Sequence, residues 1–165
     1  MTEEITPTTE TATLAAGCFW GVEAAFRELP GVVATRVGYT GGSVQAPSYE
    51  LVCSGRSGHA EAVQVDFDPA QVSYERLLEL FWSSHNPTTR NRQGWDFGSQ
   101  YRSAIFVADD EQRDVAAASL AAEQSNRRRK IVTEIAPLAE FWPAEGYHQQ
   151  YLEKRRQASC AVSVA

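Results

Sequence analysis

Three cysteines and three histidines are the side chains here best able to do covalent or metal chemistry. Cys18, Cys53 and Cys160 lie too far apart for the paired thiolates of a zinc site, and an odd number so spaced is no secreted disulfide framework. His59, His85 and His148 are equally scattered. The remaining question is whether one thiol is reactive, and Cys18 is the candidate. It stands in Gly17-Cys18-Phe19-Trp20-Gly21, behind a short apolar run and at the start of a helical pattern. Unpaired backbone N–H groups at a helix N-terminus stabilise negative charge, so Cys18 is expected to be more thiolate-like than a free cysteine. Successive helical residues point about 100° apart, so Phe19 and Trp20 cannot both face one core. One of them is expected to line a pocket beside the sulfur, suited to a substrate with a small apolar group next to its reacting atom. Taken alone, the five residues fit a small buried structural cysteine equally well.

The elements that must position this group follow from periodicity. Thr11 to Ala16 reads as a strand entering Gly17. Val22, Phe26 and Leu29 recur at helical spacing until Pro30-Gly31. Val33, Thr35, Val37 and Tyr39 alternate as a strand, as do Val63, Val65 and Phe67. Ser73 is a plausible N-cap for the clearest helix, whose stripe is Tyr74, Leu77, Leu78, Phe81 and Trp82. Ser103 to Ala108 reads as a strand, Glu111 to about Ser125 as a helix capped by Asp109 or Asp110, and Ile131, Thr133 and Ile135 as a further strand. Pro143 is placed in the first turn of a short helix through Tyr147 and Tyr151. Two long polar stretches, 43–59 and 85–100, read as loops and are the natural places for a site. Strict βαβ repeats are missing, which indicates an α+β domain: a two-layer sandwich of helices packed on a mixed β-sheet, with a ferredoxin-like core and long functional loops. The expected organisation is a disordered polar tail over 1–11, one catalytic domain over 12–157, and a mobile segment over 158–165 that carries Cys160.

Composition narrows the function classes. The chain has 165 residues, of which 43% are hydrophobic and 22% charged, as in ordinary soluble domains. A net charge of −6 argues against general affinity for nucleic acid. The basic run Arg127 to Lys130 reads as a solvated turn. Nothing approaches the ~18 consecutive apolar residues of a membrane span, and the N-terminus lacks a secretory pattern. A cytoplasmic protein is expected, and a monomer, since no long exposed apolar stripe is evident.

Gly17-Cys-Phe-Trp-Gly21 resembles the signature of the type A peptide methionine sulfoxide reductases, and the similarity runs in order along residues 12–152. It includes Gly38-Tyr-Thr-Gly-Gly42, Tyr49 followed by Val52, Gly58-His-Ala-Glu61, Phe67-Asp-Pro69, and His85 with Pro87-Thr88. It continues through Gln93-Gly94, Asp96, Gly98, Gln100-Tyr-Arg-Ser103, Thr133-Glu-Ile135, Phe141, Ala144-Glu145 and Tyr147-His-Gln149. The resemblance implies reduction of methionine-S-sulfoxide, free or protein-bound. In it Cys18 attacks the sulfoxide sulfur, Phe19 and Trp20 hold the methyl group, and Glu61 with Tyr49 and Tyr101 binds and protonates the oxygen. Asp96 holds the substrate backbone. General chemistry agrees, because sulfoxide oxygen leaves poorly unless protonated, and a carboxyl in an apolar surround stays protonated near neutrality.

Attack leaves a sulfenic acid on Cys18, which a second thiol condenses into a disulfide. The resemblance gives that role to Cys160, although Gln157-Ala-Ser-Cys160 departs from the Gly-Tyr-x-Cys context common in relatives; Cys53 is the competitor. It also implies thioredoxin or another dithiol as reductant, with no bound cofactor or metal. His59 and His148 receive no chemical role and read as structural. Asn86, where relatives commonly have aspartate, and Arg56-Ser57, where they often have two threonines, are expected only to tune loop geometry. Three other readings compete: a peroxidase, though Ala15 stands where the common peroxide-reducing family has threonine; a Cys-His hydrolase; and a non-catalytic binder of oxidised peptides.

Overall fold

A computed structural model describes residues 8–156, so Cys160 lies outside the described residues. The elements in chain order are β1 (Glu10–Ala16), α1 (Phe19–Arg27), β2 (Val32–Thr40), α2 (Tyr49–Cys53), β3 (Ala60–Phe67) and α3 (Tyr74–Ser84). There follow β4 (Arg92–Gln93), β5 (Asp96–Phe97), β6 (Ser103–Val107), α4 (Asp110–Gln124), β7 (Glu134–Pro137) and β8 (Trp142–Pro143). The main sheet has six strands in the order β7-β6-β1-β3-β2-β8, and β4 and β5 form a separate hairpin. Only β6 and β7 pair in parallel among these strands, which makes the sheet mixed. The inner order β6-β1-β3-β2, with α1 after β1 and α3 after β3, is the ferredoxin-like arrangement.

Alternation along β3 divides the core. Val63, Val65 and Phe67 face the helices and pack with Phe26, Leu77, Leu78 and Phe81, whereas Ala60 and Ala62 belong to a smaller cluster on the other face. That cluster holds Ala15, Ala104 and Phe106 and is covered by Ala136, Leu138 and Phe141. Small side chains on this face let the covering chain approach closely. Both α3 and α4 begin at side-chain caps: Arg76 N–H donates to Ser73 Oγ, and Gln112 N–H donates to Asp109 Oδ1.

Several expectations from periodicity are corrected. β1 starts at Glu10, which pairs with Phe67, and Thr11 Oγ1–H donates to Asp66 at 2.6 Å, so two residues read as tail belong to the sheet. Pro143 lies in the edge strand β8 opposite Gly38, not in a helix; proline is tolerated at an edge because it owes the ladder no N–H. Helical backbone follows as a 3-10 turn at Gly146–His148 and over residues 151–156. The strand read around 131–135 is shifted to Glu134–Pro137, with Ile131 N–H held instead by Gln124 Oε1. The stretch 43–59 contains α2, capped by Ser48, and the stretch 85–100 contains the β4-β5 hairpin.

Gly38 shows how tightly β8 is laid down. A Cβ there would collide with the Trp142 carbonyl oxygen and the Phe141 ring. Gly38→Ala is therefore expected to cost about 1–3 kcal/mol through overpacking, read as a lower midpoint in urea unfolding. An unchanged midpoint would mean that β8 is not held in this register.

Candidate active site

Cys18 is the N-cap of α1, two residues beyond the end of β1, and Gly17 makes the turn between them with φ +96°. Only glycine adopts that backbone readily, and a Cβ there would lie 2.8 Å from Gln93 Cγ of β4. The turn thus sets the cysteine at the helix mouth and admits the β4-β5 hairpin against it. Glu61 arrives from β3 on the same face as Val63 and Val65, opposite Tyr39 of β2. It is 2% exposed. Its Oε1 accepts the Phe19 backbone N–H at 3.2 Å, and its Oε2 is buried with no hydrogen-bond partner among the described residues.

Burial pushes the Glu61 carboxyl up to about 7, against the lowering effect of the Phe19 N–H and with a further push from Asp96. Burial likewise raises the Cys18 thiol, which corrects the expectation of a thiolate preformed by the helix. The Trp20 and Gly21 amides favour charge on the sulfur, but desolvation and the neighbouring Glu61 outweigh them. Both groups are raised chiefly by burial, and the Glu61 charge adds to the rise at Cys18.

The aromatic wall is built around His148. Its ring lies 5.3 Å from Phe19, 5.6 Å from Trp20, 4.5 Å from Tyr49 and 4.1 Å from Tyr147, centroid to centroid. Trp20 Nε1–H donates to His148 Nδ1 at 3.0 Å, and the indole stacks on Tyr151 at 3.9 Å. With Nδ1 accepting, the neutral ring carries its proton on Nε2, 3.5 Å from Glu145 Oε2. Burial lowers the His148 pKa, which keeps that neutral form. Glu145 accepts from the Tyr39 and Tyr147 hydroxyls, while His148 Nε2 itself makes no hydrogen bond among the described residues. Phe19 is buried against Tyr39, so Trp20 is the half-exposed ring of the pair.

Tyr49 opens α2, one turn before Cys53, whose side chain adds to burial in raising the Tyr49 pKa. Burial raises the pKa of Tyr49 and pushes Tyr101 up to about 12, so both phenols remain proton donors at neutral pH. Tyr101 feels the charges of Glu61, Cys53, Asp96 and Cys18. Its 3-10 turn, Ser99–Tyr101, is tied to α2 where Gln100 Nε2–H donates to the Cys53 carbonyl at 3.4 Å. Asp96 is exposed on β5, within electrostatic reach of Cys18 and Glu61.

The fold therefore gathers Cys18, Phe19, Trp20, Tyr49, Glu61, Asp96 and Tyr101 around one helix mouth, together with Cys53; Cys160 falls outside the described residues. Tyr39, Glu145, His148 and Tyr151 join them, although the sequence assigns them no chemical role. All but Tyr151 stand in family motifs, yet nothing local shows that residues 145–151 fold back over α1. His59 is a structural pin: its Nδ1 accepts from Gly42 N–H and its Nε2 bonds the Val44 carbonyl. Because His148 Nδ1 is occupied by Trp20, that ring is not placed to activate Cys18 as a hydrolase would require. Among the described residues no group of three or more His, Cys, Asp or Glu could hold a metal ion, and no helix is long and apolar enough to cross a membrane.

A family model described as "Peptide methionine sulfoxide reductase" matches residues 10–165. The chain is 58% identical over 153 residues to a peptide methionine sulfoxide reductase MsrA of Methanoculleus marisnigri, covering 92% of this chain and 93% of that protein. Its fold is similar to the reduced form of Mxr1 from Saccharomyces cerevisiae, with a TM-score of 0.87 and 36% identity over 94% of this chain and 90% of that one. Mxr1 in complex with Trx2 aligns with a TM-score of 0.63 and 25% identity, covering 92% and 90% of the two chains. The chain belongs to the peptide methionine sulfoxide reductase family.

Proposed function

We propose that this chain reduces methionine-S-sulfoxide, free or within polypeptides, with Cys18 as nucleophile and Glu61 as the acid. The observation that carries the reading is the buried Glu61 carboxyl, one oxygen clasped by the amide next to Cys18 and the other free of protein partners among the described residues. A carboxyl held near pH 7 is matched to proton transfer at neutral pH. The Cys18 sulfur attacks the sulfoxide sulfur while Glu61 protonates the oxygen, assisted by hydrogen bonds from Tyr49 and Tyr101. In the resulting sulfur–sulfur adduct the protonated oxygen passes to the Cys18 sulfur: the substrate S–O bond breaks, a Cys18 S–O bond forms, and the S–S bond opens to release methionine as the thioether, leaving Cys18 as a sulfenic acid. Trp20 and Phe19 seat the methyl group, and Asp96 holds the substrate backbone.

A second thiol then condenses with the sulfenic acid, forming a disulfide and releasing water. Cys160 is assigned that step. A dithiol of the thioredoxin class reopens the disulfide, so each turnover consumes one dithiol; the similarity to Mxr1, solved in complex with Trx2, supports this choice. Electrons come from thiols, and the site needs no bound metal or cofactor for these steps. Cys18 and Cys53 are free thiols, which suits a reducing compartment such as the cytoplasm.

Three outcomes test this. Cys18→Ser is expected to abolish reduction of the S epimer in an NADPH-coupled thioredoxin assay, whereas a mere binder of oxidised peptides would be unaffected in binding and show no turnover in either form. The pH profile tests the acid. The reactive pair carries one proton in all, so kcat/KM should rise through about pH 7, where Glu61 loses its proton, stay level, and fall above the raised Cys18 pKa. In Glu61→Gln the rate should drop roughly 10²–10⁴-fold and climb through the formerly level interval, tracking thiolate alone. A profile of unchanged shape in that variant removes Glu61 from the reaction. Finally, one round with substrate and no reductant should consume two thiols in the wild type. The same loss in Cys160→Ser moves the resolving step to Cys53.

A further inference from the structure

Trp95 is 91% exposed, far more than any other large apolar side chain among the described residues. It occupies the second position of the two-residue loop joining β4 to β5, where Gly94 takes φ +55° as such tight loops require. The loop is firmly braced. The Gln93 amide bonds both the N–H and the carbonyl of Asn86, at 2.9 and 2.6 Å. Thr89 Oγ1–H donates to the Arg92 carbonyl at 2.6 Å, and Arg92 Nε–H donates to the Gly94 carbonyl at 2.9 Å. Directly opposed residues in a hairpin share a face. Gln93 and Asp96 form the face turned to Gly17, while Arg92 and Phe97 form the other. One face of the Phe97 ring carries the Arg92 guanidinium, 5.0 Å from its centroid, and the ring is 62% exposed against 91% for Trp95. Trp95 is thus a bare indole on a rigid tip, next in sequence to the carboxylate that acts on Cys18, Glu61 and Tyr101.

From this geometry we infer that Trp95 is a subsite for the polypeptide around the oxidised methionine, receiving an aromatic or large aliphatic side chain that flanks it. The inference rests on the reductase reading and names its preferred substrate class. An extended peptide rises about 3.3 Å per residue, so a side chain flanking the reacting methionine lies one residue step away, the same step that separates Trp95 from Asp96 on the hairpin. A pre-set indole loses little freedom when it stacks on such a group, which favours it as a contact surface. Free methionine sulfoxide has no flanks and does not use the subsite.

The test compares kcat/KM for two capped pentapeptides centred on methionine-S-sulfoxide, one flanked by phenylalanine and one by glycine, with dithiothreitol as reductant. The wild type should favour the phenylalanine peptide about fivefold, through KM rather than kcat. In Trp95→Ala the ratio should fall to about one, and Trp95→Phe should restore most of it. A ratio that survives in Trp95→Ala, or a wild type indifferent to the flanks, overturns the subsite while leaving the reductase reading intact. A wild type that reduces neither peptide sinks the reductase reading, and the subsite with it.

Discussion

The site depends on one carboxyl being drawn out of water. Glu61 ends a row of β3 side chains that otherwise belongs to the apolar core, so the strand that buries Val63 and Val65 also buries the acid. Desolvation raises its proton affinity, and the Phe19 amide keeps one oxygen in place without neutralising that effect. The same recess raises the Cys18 thiol. Burial thus holds both groups back from ionisation, and Glu61, raised to about 7, changes charge near neutral pH.

The second structural commitment is the return of the chain over α1. Glu23, fully enclosed, accepts from Thr35 Oγ1, the Gln150 N–H and the Gln150 amide. These bonds hold Gln150 at a left-handed φ of +49°, a strained conformation for a side chain of its kind. Fixing that bend seats His148 under Trp20 and Tyr151 on its face. The wall beside Cys18 therefore joins Phe19 and Trp20 to residues more than a hundred positions away, and the buried Glu23 carboxylate holds the returning chain in place.

Long amphipathic elements are legible in the order of residues. The stripe of α3 from Tyr74 to Trp82 and the alternation of β2 and β3 repeat the period of the element they form over several residues. The short elements are not legible in this way. Five-residue α2 and two-residue β4 and β5 are too brief to show a period, and they persist through caps and tertiary bonds such as Ser48 to Leu51 N–H and Gln93 to Asn86. Edge strand β8 is hidden because Pro143 reads locally as a helix start, whereas the space left by Gly38 decides for the sheet.

The amino-acid order alone singles out a cysteine at a helix mouth flanked by two unlike aromatic positions, and its motifs point to the acid and the phenols. Those are statements of residue type and spacing, which a linear chain carries in full. Whether Cys18 is ionised is a matter of environment: local helix geometry favours the thiolate, but burial beside Glu61 reverses the sign. The bare indole of Trp95 and the histidine under Trp20 are likewise settled only by packing, because exposure and contact are properties of the assembled surface.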